Sequence, residues 1–162
     1  MSKQTENQVA EMKKQTIGVE VEMNNITRPT AAKLTAEFFG TGRYEDTGCR
    51  NGYYTWSAWD ESGREWKFQR DVSIAGPESE KCEMVTPILT YADMDTLQEL
   101  IRRLRRAGAR SDATRGCGVH IHIGAKGHTP KTMRNLANIM ASHESLIADA
   151  LEIGRASCRE RV

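Results

Sequence analysis

Four short stretches of this 162-residue chain carry side chains whose types and spacing suit metal or phosphate chemistry. GVEVE at 18–22 sets Glu20 and Glu22 two residues apart, and VHIHI at 119–123 does the same for His120 and His122. Asp71 and Ser73 flank Val72, and Glu83 sits inside the mostly apolar KCEMVTPIL of 81–89. Successive side chains of an extended strand point to opposite faces. Each glutamate pair and each histidine pair therefore shares a face. Carboxylates gathered on one surface repel one another unless a cation holds them, and their pKa values rise when nothing does. An oxygen-rich set of Glu20, Glu22, Asp71, Glu83 and His120 has the hard character that suits a divalent cation of the magnesium or manganese type. Zinc prefers more nitrogen and sulfur.

Each stretch also has a plainer reading. An E-x-E pair is commonly the solvated side of a half-buried sheet, and an H-x-H pair is often simply packed. Asp71 fits a turn, Glu83 fits a partner for Lys81, and Cys117 fits a small buried residue or a loop thiol. The RRLRR run at 102–106 reads as the solvated face of its helix. Position in the fold has to decide.

The elements that would position these groups can be read from periodicity. TIGVEVEM (16–23) alternates as a strand with an aliphatic side and a carboxylate side. Pro29 opens a helix with Ala31, Leu34 and Phe38 at helical spacing, stopped by Gly40. Thr41–Gly52 is polar and glycine-rich, a loop or hairpin connection. Tyr53–Trp59 and Glu65–Ile74 read as a hairpin around DESGR, which places Asp71 and Ser73 on one strand face. Lys81–Leu89 is a strand ending near Pro87. Asp93–Ala107 is a helix with Leu97, Leu100, Ile101 and Leu104 as its stripe. Gly118–Gly124 is the histidine strand, its aliphatic side expected to face helices behind the sheet. Thr129–Pro130 starts a last helix with Met133, Leu136, Met140 and Ile147 toward its inner side.

Charged residues make up 28% of the chain and the net charge is +1, so the totals give no electrostatic case for nucleic acid or a membrane surface. The polar residues 1–15 read as a loose tail and not a signal peptide. Cys49, Cys82, Cys117 and Cys158 form no C-x-x-C pair, which points to a reduced, cytoplasmic setting. Residues 152–162, EIGRASCRERV, resemble an in-frame translation of a common sequencing-library adapter. They are left out of the fold reading, with a natural chain expected to continue beyond residue 151. The domain read here is then 16–151.

The order of the four stretches resembles the amidoligase family, carboxylate–amine ligases related to glutamine synthetase and glutamate–cysteine ligase. The family's G-x-E-x-E falls on Gly18, Glu20 and Glu22. Its D-x-S falls on Asp71 and Ser73, with Val72 where glycine is common. Its glutamate–hydrophobic–x–Ser/Thr–Pro element falls on Glu83, Met84, Thr86 and Pro87, and its C-G-x-H-x-H on Cys117, Gly118, His120 and His122. The resemblance implies an α+β fold, a curved and largely antiparallel sheet with helices on its convex side, like the catalytic domain of glutamine synthetase.

It also implies ATP- and Mg²⁺- or Mn²⁺-dependent joining of a small-molecule or peptide carboxylate to an amine through an acyl phosphate. On this reading Glu20, Glu22, Glu83 and His120 hold metal, and His120, His122 and Ser73 meet the nucleotide. Asp71 is a further ligand or an amine-binding carboxylate, and His122 touches a phosphate or the substrate carboxylate. The family's later strands and their arginines have no counterpart before residue 151, so the chain is expected to be inactive alone. Two alternatives stay open: a metal-dependent hydrolase using the H-x-H pair, and a non-catalytic binding domain.

Overall fold

The computed structural model describes residues 3–48 and 52–150. They form two compact units that divide after Gly124. The adapter-like string, Cys49 and Cys158 lie outside the described residues. No helix among the described residues is long and apolar enough to cross a membrane.

The first unit holds helix α1 (Lys3–Met12), strand β1 (Ile17–Met23), helix α2 (Arg28–Phe38), strands β2 (Tyr44–Gly48), β3 (Thr55–Trp59), β4 (Glu65–Gln69) and β5 (Cys82–Val85), helix α3 (Met94–Arg106) and strand β6 (Val119–Ile123). The strands make one open antiparallel sheet in the order β2-β3-β4-β5-β1-β6. This is the expected α+β class with a curved antiparallel sheet.

Register follows the alternation of apolar residues. Val21 pairs with Met84, Met84 with Phe68, and Ala58 with Trp66, all buried on one face. A slip of one residue would turn that whole set to the other side. Helices α2 and α3 close this face. Ala31, Ala32 and Ala36 of α2 are fully buried, as are Leu100 and Leu104 of α3. Small side chains let the α2 backbone come close to the sheet, so its contact face is an alanine stripe with Thr35. Leu34 and Phe38 pack at its margin. The Thr27 hydroxyl caps α2 by accepting from the Thr30 N–H.

Several elements depart from the sequence reading. The tail carries α1, none of whose residues is buried; Gln, Glu, Lys and Ala sustain it by intrinsic propensity without an apolar stripe. The polar 41–52 stretch contains β2, an edge strand that borrows its ladder from β3. Strand β4 stops at Gln69, so Asp71 and Ser73 lie in an irregular turn, where the Asp71 Oδ1 accepts from the Ser73 N–H at 2.6 Å. Strand β5 stops at Val85 because Pro87 cannot donate to a ladder. Thr86 extends the pairing by one step, its Oγ1 accepting from the Val19 N–H at 2.9 Å and its own N–H donating to the Val19 carbonyl at 3.0 Å.

The aliphatic side of β6 corrects an expectation. Val119, Ile121 and Ile123 continue the core face of the sheet beyond β1, but they are 55%, 65% and 53% exposed. Neither α2 nor α3 reaches them. In the second unit, α4 (Pro130–Ser142) runs through His143 into α5 (Glu144–Ala150), with Thr129 capping α4. Met133, Leu136 and Met140, read as an inner face, are about half exposed, and Ile147 is partly covered.

The two faces predict different responses. Phe68→Ala should cost about 3–5 kcal/mol by leaving a cavity. Ile121→Ala should cost less than about 1 kcal/mol in this chain, because its side chain is already in water. Chemical denaturation of the two variants checks the assignment, and a large loss at Ile121 would overturn it.

Candidate metal and phosphate site

The face opposite the core gathers the polar side chains in rows set by strand pairing. Glu22 on β1 lies directly across from Glu83 on β5, which lies across from Gln69 on β4. One row along, Glu20 lies across from His120 on β6, and one row further Gly18 lies across from His122. The sheet therefore brings Glu20, Glu22, Glu83, His120 and His122 to one surface, and the turn after β4 adds Asp71 from the side.

Two groups of three have ligand atoms within 4.8 Å of one another: Glu20, Glu83 and His120, and Glu22, Asp71 and Glu83. Glu83 belongs to both. His122 and Ser73 are in neither, but each touches a member. The Glu20 Oε2 lies 3.1 Å from the His120 Nδ1 and 3.2 Å from the His122 Nε2. The Ser73 hydroxyl donates to the Glu22 Oε1 at 3.4 Å.

Glu22 and Glu83 are 5% and 6% exposed. Their hydrogen-bond partners are neutral. The Gly118 N–H donates to the Glu22 Oε2 at 2.7 Å, and the Gln69 amide donates to the Glu83 Oε2 at 2.8 Å. Among the described residues no lysine or arginine forms an ion pair with Glu22, Asp71 or Glu83; Lys81, the partner the plainer reading assigned to Glu83, is bound to Glu78.

Burial pushes the Glu83 carboxyl above its ordinary range; the Gln69 hydrogen bond opposes this, and the Glu20, Asp71 and Glu22 charges add to the rise. Burial also works against ionised Glu20, but the hydrogen bonds from His122 and His120 outweigh it and hold that carboxyl low. A divalent cation fits this set, since it would relieve the repulsion that neutral donors leave.

Sequence reasoning missed two supports. Gln69 continues the alternation of Glu65 and Lys67 against Trp66 and Phe68, which is the signal that could have found it. Gly116, at φ +79, is pressed so closely against the loop that an added Cβ would stand 2.6 Å from the Ser73 carbonyl oxygen. With the Ala75 N–H donating to the Arg115 carbonyl at 2.8 Å, that contact ties the 71–75 turn to the segment that leads into β6.

A family model described as "Putative amidoligase enzyme" matches residues 13–161. The chain belongs to this family. The match takes in all four stretches and extends into the string at 152–162. Neither the curated proteins nor the solved structures gave a match.

Two outcomes follow for this amidoligase-family chain. Glu83 has a folded pKa above its ordinary 4.5, so its contribution to stability is greatest at low pH and declines as pH rises from about 4.5 through the folded value. Glu83→Gln should flatten that decline and stabilise the metal-free fold at pH 7 by about 0.5–1 kcal/mol, read from melting curves across pH. Gly116→Ala should destabilise by more than about 1 kcal/mol, through both the left-handed φ and the clash at Ser73. Wild-type melting of that variant would show that the turn is not held there.

Proposed function

We propose that this chain carries the cation- and nucleotide-binding acids of an ATP-dependent carboxylate–amine ligase. The observation that carries the reading is Glu83 shared between two ligand clusters on one sheet face. In such a reaction a substrate carboxylate oxygen attacks the γ-phosphorus of ATP and ADP leaves. The amine then attacks the acyl carbon, loses a proton, and expels phosphate.

The chain's own residues divide this work. Glu20, Glu22 and Glu83 would hold Mg²⁺ or Mn²⁺, with His120 as a nitrogen ligand or phosphate contact and Asp71 as a further ligand or an amine-binding carboxylate. When bound, a divalent cation supplies neutralisation of charge on the transferring phosphoryl group. Gln69 and the Gly118 N–H fix the buried carboxylates, so little reorganisation is needed at that step. Ser73 and the exposed His122 are left to meet the nucleotide or the substrate carboxylate. A zinc hydrolase built on the H-x-H pair is less favoured, since His122 stands outside both clusters.

The reading is checked in a chain that also carries the family's later strands, by ADP formation that requires a divalent cation, a carboxylate and an amine together. Glu20→Gln should weaken Mn²⁺ binding by tenfold or more, followed by electron paramagnetic resonance, with the fold retained. Turnover supported by zinc without ATP would reject the proposal.

A further inference from the structure

The two edges of the sheet are built differently. Strand β2 carries a bulge between Asp46 and Gly48 and exposes Glu45 and Asp46, devices that keep an edge from pairing. Strand β6 has an unbroken register with β1 and contains neither lysine nor proline. Its Val119, Ile121 and Ile123 side chains are each more than half exposed. An edge of this kind is a template for another strand. Its sequence is also symmetric in residue class, with aliphatic residues at 119, 121 and 123 and histidines at 120 and 122. A second copy of VHIHI running antiparallel and centred on Ile121 therefore matches it position for position. Ile121 meets Ile121, Val119 meets Ile123, and His120 meets His122.

The backbone supports the same centre. The Glu22 N–H donates to the Gly118 carbonyl at 3.0 Å, and the Gly124 N–H to the Thr16 carbonyl at 2.8 Å. Antiparallel partners exchange bonds at every second pair. Gly118, His120, His122 and Gly124 thus turn their N–H and C=O groups toward β1. Val119, Ile121 and Ile123 turn theirs to the free edge. A copy centred on Ile121 would pair these three with one another, two bonds to a pair and about six in all. A centre on His120 would instead leave His122 and Ile123 opposite Gly118 and Cys117, outside the strand.

We propose that two copies of this chain associate through β6, antiparallel about a two-fold axis at Ile121, joining two six-stranded sheets into one. The contact is isologous and consumes the β6 edge of both copies. The β2 edges resist pairing, so assembly stops at the dimer. The aliphatic row continues from strand to strand on one face. On the other, His120 comes beside His122 of the partner subunit, and the two carboxylate faces become one. Pairing is edge-on and leaves both faces open, so ligand access and the small cost of Ile121→Ala are retained. The inference rests on the strand and not on the ligase reading.

The test is sedimentation velocity of the 162-residue chain from low to high micromolar concentration, with a chelator present so that no metal bridges the imidazoles. A monomer–dimer equilibrium is expected. Ile121→Pro should weaken it about tenfold or more, because it deletes the outward N–H at the centre of the contact. An edge strand tolerates proline on that side, and circular dichroism checks that the variant folds. Ile121→Cys gives a second reading that is specific to the register. Residues opposed in a bonded pair lie about 5.5 Å apart at Cα, within disulfide reach, so oxidation should link the two copies. Val119→Cys, which meets Ile123 and not itself, should link no more than the unsubstituted chain with its own cysteines. A chain that stays monomeric, or a dimer indifferent to Ile121→Pro, would overturn the proposal. So would equal linkage from position 119, or association that runs on without limit.

Discussion

Glu22 and Glu83 face each other across adjacent strands, almost wholly out of water, with amides and a hydroxyl as their neighbours and, among the described residues, no cationic side chain paired to either. Like charges directly opposite on a sheet are unfavourable, and burial makes them more so. The arrangement persists because the opposite face over-determines the register. Val19, Val21, Met84, Phe68 and Trp66 are buried against α2 and α3, and none can change sides without turning the rest out. The apolar core thus fixes the strands in the one register that crowds the acids. Stability made on one face of the sheet holds an unfavourable charge cluster on the other, the pattern expected where a site is arranged for a ligand and not for the empty fold.

The irregular segments serve the same cluster from its ends. The turn after β4 carries Asp71 into reach of Glu22 and Glu83, and Gly116 lets a second loop close over Ser73 with backbone against backbone. Thr86 carries the ladder one residue past the end of β5 before Pro87 ends it. These are short-range devices, each fitted to a particular neighbour.

That distinction explains what could be read without coordinates. The alternation in GVEVE and VHIHI revealed which side chains share a face, because period two is a local property of an extended chain. The stripe of α3 was legible for the same reason at helical period. Pairing across strands was not, so Gln69 went unseen although it lies opposite Glu83. Extending β4 to Ile74 also failed on a long-range cause: Val72 is 71% exposed and Ile74 is 1% exposed, so the alternation that looked like strand is a turn with one buried anchor. The exposure of Ile121 depends on how far α2 and α3 reach across the sheet. Helix α1 has no stripe to read, and none of its residues is buried.

The site itself is built in two parts of different firmness. Glu22, Glu83 and Gln69 sit on interior strands with ladders on both sides. Glu20 also lies on an interior strand, but its partners His120 and His122 stand on β6, which pairs with β1 alone among the described residues. Both imidazoles are more than half exposed and share a single oxygen of Glu20. Strands held on one edge and open on both faces belong to the part of a fold that opens most readily. On the proposed ligase reading, a phosphate or a substrate carboxylate would approach from the β6 side without disturbing the buried acids. The buried half supplies fixed charge where reorganisation would be costly, and the exposed half supplies groups that can let go of Glu20 when a ligand takes their place.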